Sequence, residues 1–340
     1  MDNQVLVELE ERYTRPSEAF LNDLSKIDGD FIFLGIGGKM GPSMAKLLMD
    51  GLKKLGLNRK VYGASRFSDA SGRAYLEGIG VETIVCDLLD DNALQALPEV
   101  KNVIYLAGFK FGATGKEDFT WAMNTYLPGR VAEKFKDSRI VAFSSGNVLP
   151  FVDVHSAGAD ERVMPEPIGE YAQSTLGRER IFTYFSKKNG TPVLLYRLNY
   201  AVDFRYGVVR EIAKQVYSGQ AIDIRTNNVN VIWQGDANEI AIRSLLHTES
   251  PAKVLNVTGP EILSIKWIAE KLGDVLGRQP IFVNEPAQTA LLNNASECHR
   301  IFGYPKVGIQ EIIAITAQWI LNNGEDFGKD THFQERGGKF

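Results

Sequence analysis

The stretch Phe31-Ile32-Phe33-Leu34-Gly35-Ile36-Gly37-Gly38-Lys39-Met40-Gly41-Pro42-Ser43-Met44-Ala45 decides the fold of this chain. Its first four residues are apolar and predict a buried strand, and the run 41–48, with Pro42 in its first turn, predicts a helix. Gly35, Gly38 and Gly41 are spaced three residues apart between them. Such glycines permit a sharp turn, close approach of the backbone to a pyrophosphate, and tight packing of helix on strand. A phosphate would bind the N–H groups at the start of this helix, although the triplet alone is also typical of a plain tight turn.

The composition limits the class of protein. The chain has 340 residues, of which 44% are hydrophobic and 24% charged, and its formal net charge is -4. These values predict one large and one smaller domain, no membrane span and no nucleic-acid partner. The two cysteines, Cys86 and Cys298, are far apart and lack metal-ligand spacing, which predicts a reducing, cytoplasmic location and no structural metal.

Short β-rich runs alternate with helical runs from residue 30 onward. The predicted strands are 31–34, 60–64, 82–86, 102–106, 140–143 and 193–197, and the predicted helices between them are 44–55, 70–77, 93–97, 117–135 and 171–186. This alternation predicts right-handed βαβ crossovers, and hence an α/β fold with a doubly wound parallel (Rossmann) sheet.

Two further segments complete the predicted organisation. Residues 1–29 form an N-terminal extension with a helix over 16–27. After residue 197 the regular alternation of strands and helices ends. The predicted helices there are 208–217, one from 236, 264–276 and 309–321, and the predicted strands are 222–224, 229–233, 253–257 and 281–283. We assign 30–198 with about 227–257 to a dinucleotide-binding domain, and 199–226 with 258–340 to a smaller mixed α/β substrate lobe that would close a cleft over the sheet.

Residues at the predicted strand ends indicate the coenzyme. Ser65 and Arg66 follow the second strand, where a cation and a small hydrogen-bonding partner suit a 2′-phosphate and an acidic residue would suit a free 2′-hydroxyl. This favours NADP over NAD, the alternative being that Arg66 is a solvated surface charge. Asp87, after the third strand, would lie near the adenine, and Leu106-Ala107-Gly108 is small enough to let the cofactor pass.

A serine and a tyrosine indicate the chemistry. Ser144-Ser145 ends the fifth predicted strand, and Tyr171 follows 26 residues after Ser145 at the start of a predicted helix. Two such hydroxyls can converge on one carbonyl oxygen: serine donates a hydrogen bond, tyrosine exchanges the proton, and the cofactor moves the hydride. Taken alone, a serine pair at a strand end is more often structural.

The order of these motifs resembles that of the extended short-chain dehydrogenase/reductases, the sugar-nucleotide epimerase/dehydratase group. The resemblance implies that Ser145 and Tyr171 are catalytic, that Asn124 supports the active-site water and helix, and that the helices holding Asn124 and Tyr171 form a homodimer interface. It extends over about residues 30 to 325 and is carried by Gly35-x-x-Gly38-x-x-Gly41, Asp87-Leu88, Leu106-Ala107, Asn124, Ser144-Ser145-x-x-Val148, Pro165-x-Pro167-x-x-x-Tyr171-Ala172-x-Ser174, Arg197-x-Asn199, Asn256-Val257-Thr258-Gly259 and Phe302-Gly303-Tyr304-Pro305. The predicted cofactor-binding residues are Gly35, Gly38, Lys39, Met40, Gly41, Ser65, Arg66, Asp87, Leu88, Leu106, Ala107, Gly108, Tyr171 and Asn199.

One departure from the family concerns the neighbourhood of Tyr171. The family has a lysine four residues after its tyrosine, on the same helix face, which binds the nicotinamide ribose and favours the ionised phenol. Thr175 occupies that catalytic position here and retains a hydroxyl for the ribose but no charge. Loss of the charge would affect alcohol oxidation more than ketone reduction, because oxidation needs the tyrosinate as a base. We expect another cation to compensate, Lys110 first and then Lys39 or Arg178, although each is also typical of a surface charge.

A second departure concerns the substrate. Members that act on nucleotide sugars usually present an arginine just before the helix predicted from 236, where it holds the nucleotide pyrophosphate. The matching segment 227–236 has only Arg225 close by, so a plain sugar-derived substrate and a nucleotide sugar both stay open. The substrate candidates are Lys110, Ser145, Asn199 and Trp233, of which Trp233 is alternatively a core residue.

The sequence thus predicts an enzyme, an NAD(P)-dependent oxidoreductase or epimerase that transfers hydride at a secondary alcohol or ketone of a sugar-like substrate. Two alternatives stay open: an NADP-binding sensor that has lost turnover with the lysine, and a degenerate paralogue with neither binding nor turnover.

Overall fold

The computed structural model describes residues 4–110, 112, 114–329 and 331–339. The expectations for residues 1–3, 111, 113, 330 and 340 lie outside this part of the chain. A seven-stranded sheet forms its centre, in the order β12-β7-β5-β4-β1-β2-β3, and every neighbouring pair is parallel. Its strands are β1 (Phe31–Leu34), β2 (Val61–Ser65), β3 (Glu82–Val85), β4 (Asn102–Tyr105), β5 (Arg139–Ser145), β7 (Val193–Leu198) and β12 (Lys253–Val257). This confirms the predicted doubly wound parallel sheet.

The strands form where continuous apolar runs can be buried on both faces. All four residues of β1 are buried, and Phe31 lies opposite Val61 on one side and Asn102 on the other. Strands that are covered by helices on both faces need apolar residues throughout rather than in alternation. The predicted strands 31–34 and 253–257 have their observed bounds, and the other five sheet strands differ by one or two residues at one or both ends.

Helices cover the two faces of the sheet. One face packs against α2 (Glu18–Leu24), α3 (Gly41–Lys54), α4 (Ala70–Gly78) and α10 (Gln234–Arg243). The other packs against α5 (Asp91–Gln95), α7 (Leu127–Lys134) and α8 (Gly169–Asn189). Because α3 follows β1 and α8 precedes β7, both helices begin at the edge of the sheet where the strands end.

A second apolar cluster lies beyond the sheet and joins the N-terminal and C-terminal parts of the chain. It contains buried side chains of α9 (Val208–Ser218), α11 (Ile265–Leu276), α13 (Ile309–Leu321) and α1 (Gln4–Tyr13). Short strands accompany these helices: β6 (Val152–Asp153), β8 (Ala201–Val202), β9 (Ala221–Asp223), β10 (Asn228–Val229), β11 (Ile232–Trp233), β13 (Leu263–Ser264), β14 (Ile281–Val283) and β15 (Thr289–Ala290).

The structure differs from the sequence prediction at several elements. Helix α1 and helix α12 (Ser296–Phe302) were not predicted, and the helix predicted over 16–27 is the shorter α2. The strand predicted over 229–233 is two strands with different partners, because β10 pairs with β13 and β11 with β8. The helix predicted over 117–135 is α6 (Glu117–Trp121) and α7 separated by a π-helical segment, Ala122–Tyr126.

Within the described residues, none of the helices combines the length and the apolar character that crossing a bilayer requires.

Candidate active site

A central cavity of about 520 Å³ opens where four strands of the sheet end. Gly35 follows β1, Leu106 follows β4, Ser145 ends β5 and Asn199 follows β7, and all four line the cavity. Ligands of open α/β sheets bind at this edge. Other lining residues come from the glycine turn, β5, α8, the start of α10, the segments after β4, β5 and β7, and the C-terminal segment; they include Gly38, Lys39, Met40, Gly41, Gly108, Phe109, Lys110, Phe143, Ser144, Asn147, Tyr171, Arg178, Tyr200, Tyr206, Gln234, Lys329 and Thr331.

The glycines of the first turn have different physical roles. A Cβ on Gly41 would lie 1.9 Å from the carbonyl oxygen of Ile36, so tight packing of α3 requires glycine there. Gly35 has a φ of +88°, and its Cβ would lie 2.8 Å from the backbone of Ala107. A Cβ on Gly38 would meet only ordinary contact, 3.5 Å from the nearest atom, although Gly38 also lines the cavity. Protein packing therefore explains Gly35 and Gly41 but not Gly38.

The start of α3 has the features of an anion site. Met40 precedes the helix, and no side chain of the described residues caps it. The first N–H groups of a helix have no intrahelical partners and carry a partial positive charge. This end of α3 is therefore suited to a phosphate.

Two serines at the end of β5 have separate partners. The Ser145 hydroxyl lines the cavity, donates to Asn147 Oδ1 at 2.9 Å and accepts from the Asn147 N–H at 3.2 Å. Ser144 donates at 2.6 Å to Glu179, which forms a buried ion pair with Arg197. Glu179 thus links β5 to α8 and β7 and uses the hydroxyl of Ser144. Within the described part of the chain, the hydroxyl of Ser145 is bonded only to Asn147.

Tyr171 lies in the first turn of α8 and also lines the cavity. The ammonium of Lys110 lies 5.3 Å from the centre of its ring. Burial lowers the pKa of Lys110 to about 8, so this ammonium stays mostly protonated at pH 7. The cation that we expected first from the sequence is therefore next to the phenol.

Thr175 does not reach the cavity. Its side chain is fully buried, and its hydroxyl donates at 2.8 Å to the backbone oxygen of Tyr171, four residues earlier. Threonines inside helices often satisfy their hydroxyl in this way. The structure thus gives Thr175 a contact within α8 and not the predicted position at a ribose.

Asn124 is a fully buried junction between three elements. Its amide donates to the backbone oxygen of Phe109 at 2.9 Å and to Ser174 Oγ at 3.0 Å, and its oxygen accepts from the N–H of Phe109 and from Arg178, each at 2.8 Å. Asn124 thereby fixes the loop before Lys110 against α8.

The π-helical segment around Asn124 has a chemical cause. Pro128 lies in the first turn of α7 and has no N–H to donate to the carbonyl of Asn124 four residues earlier. Arg178 instead approaches that carbonyl, with Nε 3.4 Å from it, and donates to Phe143 O at 2.7 Å. Such bulges occur frequently at functional sites.

Lys39, from the glycine turn, also lines the cavity. Its ammonium is 3.1 Å from the centre of the Tyr206 ring. Burial, together with the charges of Lys110 and Lys329, lowers the pKa of Lys39 to about 7. Three lysines from distant parts of the sequence thus face one space.

The residues predicted at the adenine end lie outside the cavity lining. Ser65 is half-buried at the end of β2, and Arg66 is exposed beside it. Asp87 is exposed and accepts from the N–H of Leu89 at 3.0 Å, whereas Leu88 is buried. Ala107 is buried against Gly35. Ser65 is next to the glycine turn, because a Cβ on Gly37 would lie 2.8 Å from its Oγ.

Of the substrate candidates, Lys110, Ser145 and Asn199 line the cavity and Trp233 does not. Trp233 is buried in an aromatic cluster, where its indole N–H donates to the backbone oxygen of Tyr13 at 3.1 Å. The structure therefore supports the core interpretation of Trp233. Arg225, the only cation expected near the nucleotide position, forms an ion pair with Asp223 at 2.5 Å and is outside the cavity lining.

Sequence reasoning missed the contributions of Tyr206, Lys329 and Thr331. Neither the segment before α9, which contains Tyr206, nor the segment after α13 carries a motif. The position of Lys329 and Thr331 at the cavity depends on the path of the C-terminal segment, for which the sequence has no local signal.

No protein-family model matches the chain, and no curated protein matches its sequence. Several solved structures share its fold. A UDP-glucuronic acid 4-epimerase from Bacillus cereus, solved with NAD and a fluorinated UDP-sugar, is 19% identical, with a TM-score of 0.71 over 86% of this chain and 99% of that chain. An epimerase from Methanothermobacter thermautotrophicus is 17% identical, with a TM-score of 0.72 over 90% of this chain and 96% of that chain. A UDP-glucose 4-epimerase from Thermus thermophilus, solved with NAD, is 19% identical, with a TM-score of 0.68 over 85% and 98%.

The chain therefore has the fold of the extended short-chain dehydrogenase/reductases. The sequence resemblance is confirmed at the level of the fold.

Proposed function

We propose that this chain is an NAD(P)-dependent oxidoreductase or epimerase that acts at a secondary alcohol or ketone of a sugar or sugar-derived substrate. The observation that carries the proposal is the central cavity, which joins the glycine turn to Ser145 and Tyr171 in one continuous space. An anion site at one end and two hydroxyls at the other fit a dinucleotide and its substrate.

The residues at the glycine turn suit a dinucleotide. Protein packing does not require a glycine at position 38. Gly38 therefore leaves room for a pyrophosphate beside the uncapped start of α3. When bound, the nicotinamide supplies the acceptor or donor of hydride. Gly108 lines the cavity, and Ala107 beside it packs on Gly35; both residues are small.

Ser145 and Tyr171 perform the proton chemistry in this proposal. Ser145 turns its hydroxyl from Asn147 to the substrate oxygen and donates a hydrogen bond to it. Tyr171 donates a proton to that oxygen in ketone reduction and accepts one in alcohol oxidation. Asn124 is a positioning residue, because it holds Phe109, and so the loop with Lys110, against α8.

Two alanine variants test the glycine turn. Gly38→Ala should keep the stability of the wild type and weaken dinucleotide binding about tenfold, because its methyl occupies ligand space and not protein space. Gly41→Ala should lower the free energy of unfolding by roughly 1–3 kcal/mol, because its methyl overlaps Ile36 O. Thermal unfolding and calorimetric titration with NAD and NADP measure both effects. If Gly38→Ala bound both dinucleotides as the wild type does, the turn would not be the pyrophosphate site.

The coenzyme preference is proposed to be NADP, with NAD second, on the basis of Ser65 and Arg66. The nearest downstream acid, Asp69, caps α4 by accepting from Ser71 N and Gly72 N, so it is already used. Arg66→Ala should weaken NADP binding roughly 10–100-fold and leave NAD binding nearly unchanged, because only the 2′-phosphate loses a charged partner. Lys53→Ala, which removes an exposed cation at the other end of α3, is the matched control. Equal losses for NAD and NADP would contradict this assignment.

The substrate class is supported by the shape and lining of the cavity. The solved neighbours act on UDP-glucose or UDP-glucuronic acid by name, and this supports a carbohydrate substrate. The ion pair of Arg225 with Asp223 leaves the predicted nucleotide position without that cation. We therefore propose a sugar or sugar-derived substrate, with or without a nucleotide.

We also propose that the chain forms a homodimer, that it has the two domains expected from the sequence, and that it is cytoplasmic. A groove of mostly apolar side chains between the π-helical segment, α7 and α8 supports a homodimer through those helices; its residues include Trp121, Thr125, Tyr126, Ile181 and Phe185. Residues 30–198 with about 227–257 bind the dinucleotide, and 199–226 with 258–340 bind the substrate. A cytoplasmic location fits the two free, buried cysteines.

Two measurements in sequence test the activity. Titration with NADP and NAD should show binding. A net redox enzyme should then transfer deuterium from C4-labelled NADPH or NADH to a sugar of a metabolite extract, whereas an epimerase, which returns the hydride to the carbon it left, should convert a sugar of the extract into its epimer with the oxidised coenzyme; mass spectrometry and chromatography detect the two products. Binding with neither product would favour the sensor that has lost turnover. Absence of binding would favour the degenerate paralogue and would refute the proposal.

A further inference from the structure

The segment that follows α13 is anchored on both sides of Lys329. Before it, Asp326 forms an ion pair with Lys214 of α9 at 2.8 Å. After it, both the N–H and the hydroxyl of Thr331 donate to Glu211 of α9, at 2.8 and 2.5 Å. Lys329 is therefore held at the cavity by contacts that lie within three residues of it.

The end of the same segment reaches the helix that carries Tyr171. Arg336 donates to the backbone oxygen and the hydroxyl of Thr289, each at 2.7 Å. A Cβ on Gly169, at the start of α8, would lie 2.3 Å from the backbone oxygen of Gly338. The C-terminal segment thus extends from α9 to the start of α8 and forms one side of the site.

The charges that line the cavity have one sign. Lys39, Lys110 and Lys329 come from the glycine turn, the loop after β4 and the C-terminal segment, and Arg178 comes from α8. Among the residues that the structure describes, none of those lining the cavity is Asp or Glu. The lowered pKa of Lys39 reflects in part the charges of Lys110 and Lys329, which indicates that the three ammonium groups are close.

A dinucleotide pyrophosphate does not account for all of this charge. The pyrophosphate position is the start of α3, where backbone N–H groups are the donors and Lys39 is adjacent. Lys110 lies beside Tyr171, and Lys329 is carried by a different part of the chain. Like charges that share a partly desolvated space repel one another, and an anion between them removes that repulsion.

We propose that the substrate itself is anionic, and that Lys329, with Lys110, binds a carboxylate or phosphate group on its sugar-derived part. This inference rests on the proposed function, because it takes the dinucleotide to occupy the glycine turn. It makes Lys329 a residue that determines substrate specificity.

The test uses the full chain saturated with NADP or NAD, so that cofactor binding is established first. Inorganic phosphate, D-glucuronate and D-glucose are then titrated separately by calorimetry. We expect phosphate, glucuronate or both to bind the cofactor-loaded protein more tightly than glucose; the two anions distinguish a phosphate group from a carboxylate. Lys329→Met should weaken anion binding about tenfold or more. Lys339→Met, which removes an exposed lysine from the same segment, should leave it unchanged.

Failure of this inference differs from failure of the proposed function. If neither dinucleotide binds, the proposed function fails and this inference fails with it. If a dinucleotide binds but displaces phosphate, the lysines serve the cofactor alone and the inference is wrong. It is equally wrong if glucose binds as well as glucuronate and phosphate, if neither anion binds the loaded protein, or if Lys329→Met and Lys339→Met bind anions alike. Thermal unfolding of both variants verifies that they are folded.

Discussion

Tyr171→Phe is expected to lower turnover by about 10²–10⁴-fold, the usual contribution of a positioned general acid or base. In the proposed function, the variant loses the group that exchanges a proton with the substrate oxygen beside Ser145. The phenyl ring remains, so the packing of α8 and the contact with Lys110 should persist. Turnover and dinucleotide affinity, measured on the same preparation, should therefore separate: the first falls and the second stays near the wild-type value.

The matched control for this variant is on the same helix. Tyr184 lies four turns further along α8 and is exposed, so Tyr184→Phe should leave turnover unchanged. Ser145→Ala removes a hydrogen-bond donor but not the group that transfers the proton. It should therefore lower turnover less than Tyr171→Phe does. Full turnover in Tyr171→Phe would show that another group transfers the proton and would refute the assigned role.

The sheet could be predicted because its signal is local. The central strands are short apolar runs buried on both faces. The glycine at position 41 in the turn after β1 allows α3 to pack closely, because a Cβ there would overlap the carbonyl oxygen of Ile36. The residues at the carboxyl ends of the strands must then meet at one edge of the sheet. For this reason Gly35, Leu106, Ser145 and Asn199 could be expected together from the sequence.

The elements that were missed depend on partners distant in sequence. Helix α1 has little apolar pattern of its own, and Tyr13 at its end docks through Glu311 and Trp233. The interruption of the helix predicted over 117–135 needs both Pro128 and the side chain of Arg178. Neither interaction can be read from hydrophobic spacing.

The site could be predicted only where its residues follow the ends of the central strands. Lys110 was expected near Tyr171 because it follows β4, which ends at the edge where α8 begins. Thr175 was expected at the ribose from a family position, but its hydroxyl has a carbonyl partner within α8. Lys329 was not expected, since its place is set by Glu211 and Lys214 on α9.

Lys110→Met is expected to lower alcohol oxidation at pH 7 by about 10–1000-fold, because a cation this close favours the charged form of an acid by roughly 1–3 pH units. Ketone reduction uses the protonated phenol and should fall much less. Lys110→Arg keeps a charge and should retain most of the oxidation rate. The measurement is the pH dependence of both directions, and equal losses in the two directions would contradict a charge effect on the phenol.

The pH profile distinguishes this role from simple packing. Because burial lowers the pKa of Lys110 to about 8, its charge is present below that pH and is lost above it. Oxidation by the wild type should therefore stop rising above about pH 8. Lys110→Arg should continue to rise there, since a guanidinium stays charged.

A lysine at position 175 provides the decisive comparison. In the wild type, Lys110 already supplies the charge, so Thr175→Lys alone should change turnover little. In the Lys110→Met background, Thr175→Lys should restore part of the oxidation rate by returning the cation to the position that the family uses. Position 175 is fully buried, so thermal unfolding must show that both lysine variants fold before their rates are compared. If Thr175→Lys in the otherwise native chain raised turnover by orders of magnitude, Lys110 would not be compensating for the missing lysine.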